Sequence, residues 1–238
     1  MGASRGIGRG IAMALARGGA RVAIASRSAE RLAEAETAIG GESATFEADT
    51  DDLERLGRLP AEVEQALGAI EILVPNTGGP PLGGAHDNPL DEWEAAYRSL
   101  VLAPRVLAEA VLPGMRERGF GRIVNVSSSS VREPIPHLAL SNAHRMAAVG
   151  YFKTLASEVA ADGITVNTVA TGRFATDRLA SNWGSWEEME AKAAEGIPAG
   201  RLGQPEEFGD LVAFLCSERA AYLTGTVIPF DGGLSRSV

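Results

Sequence analysis

An alternation constrains this 238-residue chain more than any other feature. Short apolar segments with strand character lie at Arg21–Ser26, Ala44–Ala48, Ile70–Pro75, Arg122–Ser127, Ile164–Val169 and Thr226–Phe230. Stretches of helical periodicity separate them, over Ser4–Arg17, Ala29–Ile39, Leu53–Leu67, Leu90–Arg118, Leu138–Ala161 and Pro205–Ser217. Strands this short and this apolar are buried on both faces. Strands joined through helices pair in parallel, because only a crossover reaches a parallel neighbour. The pattern predicts an α/β fold: a doubly wound parallel sheet, of Rossmann type, with helices on both faces. Pro104 and Pro113 are expected to bend or end the fourth helix. No internal repeat, low-complexity tract or linker interrupts the pattern, so residues 1–238 read as one domain.

The chain opens on Met1-Gly2-Ala3-Ser4-Arg5-Gly6-Ile7-Gly8 and runs directly into the first helical stretch. Glycines there permit unusual backbone angles and close approach of a ligand to the backbone. The helix start beyond them presents unpaired N–H groups and a positive dipole end, which suit a pyrophosphate. A cradle of this kind normally follows a strand, and nothing strand-like precedes Gly2 in this sequence. Two alternatives follow: a start upstream of Met1, or a sheet that lacks its first, central strand.

The formal net charge of −9 disfavours general attraction to nucleic acid or an anionic membrane. No apolar run approaches the roughly 20 residues that span a bilayer, and no signal peptide is recognisable, so a cytoplasmic protein is expected. The single cysteine, Cys216, lies in an apolar run and is expected to be a buried, inert thiol. His86, His137 and His144 are scattered and make no metal-ligand spacing with Cys216; no metal site is expected.

Several further segments carry a resemblance. Gly2, Gly6 and Gly8, the turn Pro75-Asn76-Thr77-Gly78 and the strand Ile123-Val124-Asn125-Val126-Ser127-Ser128 together resemble the short-chain dehydrogenase/reductase family. Gly163-Ile164-Thr165-Val166-Asn167 and the tail Asp231-Gly232-Gly233 extend the likeness over essentially the whole chain, closest in character to the 3-oxoacyl-acyl-carrier-protein reductase group. The resemblance implies NAD(P) at the C-terminal edge of the sheet. Its binding residues would be Gly2, Ser4, Arg5, Gly6, Ile7 and Gly8 of the cradle, Ser26, Arg27, Asp49, Asn76 and Gly78, and Thr171, Gly172 and Thr176. No carboxylate ends the second strand of the family pattern; Ser26-Arg27 stands there. Arg5 and Arg27 are therefore expected beside a 2′-phosphate, which favours NADPH over NADH. The family also implies a homotetramer and a substrate lid, here at about 177–200, where Trp183, Trp186 and Met189 suit an apolar substrate.

The expected catalytic centre departs from the family. Its members commonly carry Asn, Ser and a Tyr-x-x-x-Lys pair. None of Tyr97, Tyr151 and Tyr222 is followed four residues later by lysine. Alignment places Ser141 at the tyrosine position, Arg145 at the lysine position, Ser128 at the serine position and Leu100 at the asparagine position. A serine hydroxyl is a poor general acid near neutrality, and arginine does not give up its proton. Proton delivery then needs water or another group, and His137, four residues before Ser141, is a candidate beside the simpler reading of a loop histidine. Three functions remain open on this basis: an NADP(H)-dependent oxidoreductase acting on a carbonyl or secondary alcohol through Ser128, Ser141 and Arg145; a catalytically impaired nucleotide-binding protein; and a halohydrin dehalogenase-like lyase, which Arg145 fits and Ser141 does not.

Overall fold

The computed structural model describes residues 1–180, 188, 190, 192 and 194–237. The expected aromatic and methionine contributors to a lid, Trp183, Trp186 and Met189, lie outside the described residues. Eight helices of the described chain are α1 (Gly6–Arg17), α2 (Ala29–Ile39), α3 (Leu53–Leu67), α4 (Leu90–Tyr97), α5 (Ala103–Arg118), α6 (Ala139–Val159), α7 (Asp177–Ala180) and α8 (Pro205–Cys216). The strands are β1 (Val22–Ser26), β2 (Ser43–Glu47), β3 (Ile72–Leu73), β4 (Gly121–Val126), β5 (Ile164–Thr171) and β6 (Val227–Phe230).

Every strand pair is parallel, as the alternation requires. The six strands form two sheets: β1 with β2, and β3-β4-β5-β6. Between the edges of β1 and β3 lies a slot lined by residues of both strands. The third expected strand shrinks accordingly, from Ile70–Pro75 to Ile72–Leu73. It has one partner, β4, where a central strand has two. All six residues of β4 are buried, whereas both residues of β3 are only partly so.

Local chemistry sets the helix ends. The Ser28 hydroxyl accepts from the Arg31 N–H and starts α2; the Asp52 carboxylate accepts from the Arg55 N–H and starts α3. The fourth expected helix, Leu90–Arg118, runs on through one irregularity, since Tyr97, Arg98, Leu102 and Ala103 all keep right-handed helical angles. A π turn at Arg98–Leu102 separates α4 from α5, and Pro104 follows in the first turn of α5. The wider π turn lies just before Pro104, where the proline supplies no N–H to the preceding turn. Pro113 sits inside α5 without ending it.

The core that holds the cleft together packs α1 and α8 against the centre of the larger sheet. Phe208, fully buried, meets Phe174 edge-on at 5.2 Å between centroids and Phe230 at 5.8 Å. The two helices touch through glycine: a Cβ on Gly209 would come 2.3 Å from the Gly10 carbonyl oxygen, and one on Gly10 would come 2.3 Å from that of Pro205. Cys216 is 5% exposed, and burial pushes its thiol up to about 12. It is expected to stay unmodified by a thiol-specific disulfide reagent at pH 8 and to react at once in denaturant; rapid labelling of the native chain would contradict this burial.

Candidate active site at the C-terminal edge of the sheet

The candidate residues converge because each sits at or just past the carboxyl end of a strand: Ser26 and Arg27 at β1, Asp49 after β2, Asn76 and Gly78 after β3, Ser128 after β4, and Thr171 and Gly172 at β5. In an open parallel sheet that edge forms the ligand crevice.

The glycine loop has the backbone that its sequence suggests. Gly2 and Gly6 hold φ values of +58° and +53°, where a side chain is strained. A Cβ on Gly8 would lie 2.1 Å from the Gly2 carbonyl oxygen. No side chain caps α1 at Arg5, and its first turn carries no acidic residue, so its dipole end is left for a ligand anion. The loop is anchored from across the slot. Asn76 Nδ2 donates to the Gly2 carbonyl at 3.0 Å, so this side chain shapes the cradle itself. Thr176 closes the other side, with its methyl 3.3 Å from where a Cβ on Gly6 would stand.

The two arginines expected at a 2′-phosphate have separate carboxylate partners. Arg5 lies 4.0 Å from Asp177, and Arg27 lies 4.0 Å from Asp49. Asp49 also accepts from the Asp51 N–H, so it serves its own turn. A cleft of about 260 Å³ brings Arg5 together with Ser4, Arg9, Arg31 and Thr176. Sequence reasoning missed Arg9 and Arg31. The signal was present, since Arg5 and Arg9 are four residues apart at the start of one helix.

At the expected catalytic centre, Ser128 and Arg145 flank the end of β4. Ser128 starts a short 3₁₀ turn (Ser129–Val131), and its Oγ accepts from the Ser130 N–H at 3.1 Å. That leaves its own proton available. Of the four serines in the run, 127, 129 and 130 are buried and Ser128 is the partly exposed one. Arg145 Nε donates to Ser141 Oγ at 3.2 Å, and Nη1 donates to the Val126 carbonyl at 3.2 Å. Nη2 reaches the Gly78 carbonyl at 3.5 Å. The guanidinium thus ties α6 to β4 and to the loop after β3. Ser141 is 6% exposed and its hydroxyl accepts a charged donor, which makes it an oriented hydroxyl rather than an acid.

Leu100 is buried, within the π turn. His137 is exposed, with φ +60°, and its carbonyl accepts from the Gly83 N–H. Among the described residues no hydrogen bond joins it to Ser141. His144 is buried between α6 and α4, its ring centroid 5.2 Å from that of Trp93. Its Nδ1 lies 2.8 Å from the Leu140 carbonyl, which can only accept, so Nδ1 carries a proton. Thr171 Oγ1 is buried with no hydrogen-bond partner among the described residues, at the edge where a bound polar group could supply one. The loop beside it is fixed by Asp231. Burial opposes the charge of this carboxylate, but the Ser235 hydroxyl and the N–H groups of Ser235, Gly233 and Leu234 outweigh that and hold it below the usual range. Gly172 packs on this turn so closely that a Cβ would lie 2.4 Å from Asp231 Cα.

Residues 2–235 match a family model described as enoyl-(acyl carrier protein) reductase. The chain is 36% identical to the 3-oxoacyl-[acyl-carrier-protein] reductase of Haemophilus influenzae over 98% of its own length and 95% of that protein's. A short-chain oxidoreductase from Pseudomonas aeruginosa, described as containing an atypical catalytic center, superposes with a TM-score of 0.93 at 29% identity, covering 100% of this chain and 96% of that one. L-sorbose reductase from Gluconobacter frateurii, solved with NADPH and L-sorbose, superposes with a TM-score of 0.94 at 30% identity, covering 100% and 95%. With the parallel sheet, the glycine cradle and this coverage in hand, the chain belongs to the short-chain dehydrogenase/reductase family and is a reductase-like oxidoreductase of that group.

Proposed function

We propose that the chain is a single NAD(P)-binding domain over residues 1–238 that uses NADP(H) to interconvert a carbonyl and a secondary alcohol, with a 3-oxoacyl-like compound as the candidate substrate. The observation that carries the reading is the pairing of a built cradle with a donor: Gly2, Gly6 and Gly8 leave room for phosphate against backbone, and Ser128 keeps a hydroxyl proton at the adjacent strand end. Buried Thr171 Oγ1, without a partner among the described residues, suits the carboxamide end of a nicotinamide.

When bound, the nicotinamide supplies or accepts the hydride. The chain's own part is positioning and electrostatics. The cradle N–H groups and the start of α1 hold the pyrophosphate. Ser128 donates to the substrate oxygen as negative charge develops on it. Arg145, fixed cation to Ser141, adds positive potential beside that oxygen and orients the Ser141 hydroxyl. Neither Arg145 nor Ser141 relays a proton, so proton delivery needs water or another group. A cytoplasmic homotetramer is the assembly we propose, with no nucleic acid or membrane partner.

Cofactor choice is testable. Arg27→Ala is expected to weaken NADPH roughly 10- to 100-fold, the value of a hydrogen bond to a charged group, and to leave NADH nearly unchanged. Arg31→Ala, from the arginine cleft, is the companion variant. Fluorescence titration with both cofactors reads the result; equal losses for NADPH and NADH would show that the arginines do not read the 2′-phosphate.

The absence of any Tyr-x-x-x-Lys favours a second reading, a nucleotide-binding protein with little turnover. NADPH binding without reduction of any of a broad carbonyl panel would establish it. A halohydrin dehalogenase-like lyase has less support, because the intact cradle fits a dinucleotide rather than a lone halide.

A further inference from the structure

The segment Asp231–Ser237, which follows β6, joins two parts of the candidate site that are far apart in sequence. At its start, Asp231 lies against Gly172, beside Thr171 at the expected nicotinamide end. The Asp231 carboxylate accepts from the Gly233 and Ser235 N–H groups, both at 2.9 Å, and folds the segment into a turn. Gly232 and Gly233, at φ +65° and +84°, lie against Ile197, Pro198 and Ala199. The Gly232 carbonyl accepts from the Ala199 N–H at 3.0 Å. Leu234 then packs with Ile197, Leu202, Ala175 and Leu179. The middle of the segment therefore rests on the two ends of the stretch at about 177–200.

The far end of the segment is held by the residues just past Ser128. The N–H groups of Arg236 and Ser237 both donate to Glu133 Oε1, that of Arg236 at 2.6 Å. Arg132 supports the same end: its Nε donates to Ser237 Oγ at 3.4 Å and its Nη2 to the Ser237 carbonyl at 3.5 Å. Bonds to a carboxylate are charge-assisted and roughly twice as strong as neutral ones. Glu133 also belongs to the Ser128 turn. The Val131 N–H donates to the Ser128 carbonyl, and the Arg132 and Glu133 N–H groups donate to the Ser129 carbonyl. On the other side, Pro134 leads to Ile135. The Ile135 N–H donates to Asn142 Oδ1, and Asn142 Nδ2 donates to the Ile135 carbonyl, one residue beyond Ser141. Glu133 thus sits on the stretch that connects the two serines of the candidate centre, with its side chain on the brace.

We propose that Glu133 is a positioning residue for carbonyl reduction: its grip on Arg236 and Ser237 fixes the Ser128 turn relative to the Thr171–Gly172 edge. This inference rests on the reductase reading. The strands β4 and β5 are joined up to the Ser127 N–H, which donates to the Val169 carbonyl. Beyond that bond the chain leaves the sheet at Ser128, and the brace from Asp231 to Glu133 ties the two strand ends a second time. The separation of these ends matters to rate, since a misplacement of about 1 Å can cost about 10²-fold. The part played by Glu133 is geometric, so its loss is expected in kcat, with cofactor binding kept.

The test compares wild type, Glu133→Ala and Glu133→Gln. Each is titrated with NADPH, assayed for kcat and KM on an acetoacetyl thioester, and followed by amide hydrogen exchange without cofactor. Glu133→Ala is expected to lower kcat about tenfold, with KM and the Kd for NADPH within about twofold of wild type. It is also expected to speed exchange about tenfold at both the Val131 and the Ala199 amides, which lie on opposite sides of the brace. Glu133→Gln keeps an acceptor oxygen and is expected to recover kcat to within about threefold of wild type. A Glu133→Ala enzyme at full kcat, beside an active wild type, would overturn this inference alone. So would faster exchange at Ser237 with none at Val131 and Ala199, or a loss of kcat that glutamine does not recover; either would leave Glu133 a mere anchor for the segment. A wild type that binds NADPH and reduces no thioester would overturn the reductase reading, and this inference with it.

Discussion

Gly8→Ala is expected to abolish dinucleotide binding, raising the Kd for NADPH more than about a hundredfold while the chain stays folded. The added methyl would stand 2.1 Å from the Gly2 carbonyl oxygen, 2.7 Å from Asn76 Nδ2 and 2.9 Å from Ala3 Cα. The Gly2 oxygen and Ala3 Cα are backbone atoms of the loop and cannot swing aside as the Asn76 amide could, so the loop itself must move. A shift that size removes the backbone donors from the phosphates, and each such charged hydrogen bond contributes about 1.5–3 kcal/mol. Gly150→Ala is the matched control. Nothing lies within 4 Å of a Cβ there, in the middle of α6, so it should stabilise the chain by about 0.5–1 kcal/mol and leave binding intact. Titration of both variants, with circular dichroism for folding, reads the outcome. NADPH affinity within threefold of wild type for Gly8→Ala would mean that the cradle is not the phosphate site.

Ser128→Ala is expected to lower kcat by about 10²–10³, the usual cost of one donor to a developing oxyanion, with KM little changed. Arg145→Ala should lower rate and cofactor affinity together, because the guanidinium also ties Gly78 and Val126 to α6. Ser141→Tyr with Arg145→Lys would reinstate the family's acid pair. It is expected to raise kcat, provided the space at Ser141, 6% exposed, admits a phenol. Steady-state kinetics on one carbonyl substrate compares all three. A Ser128→Ala enzyme at full kcat would remove that hydroxyl from the reaction.

Much of this was readable in the residues. The bounds expected for α2 and α3 are those observed, because each has a side-chain cap at its start and a positive-φ glycine at its end, Gly40 and Gly68. Parallel pairing followed from the crossover helices. The extent of β3 was not readable, because a strand is only as long as its partners make it, and among the described residues β3 pairs with β4 alone. Nor was the π turn at Arg98–Leu102, since helical periodicity does not register one extra residue in a turn. At the site, the motifs marked Gly2, Gly8, Ser128 and Arg145. Contacts that depend on tertiary packing escaped: Asn76 reaching back to Gly2, Asp231 under Gly172, and Arg9 and Arg31 joining Arg5.

The most direct test of the central claim is one titration followed by one assay on the same preparation. NADPH and NADH are titrated into the protein, and saturated enzyme is then mixed with a panel of 3-oxoacyl thioesters and simple ketones while the reduced-nicotinamide absorbance is followed. The account predicts micromolar binding of NADPH, weaker binding of NADH, and loss of absorbance with at least one carbonyl. If neither cofactor binds at millimolar concentration, the account is contradicted.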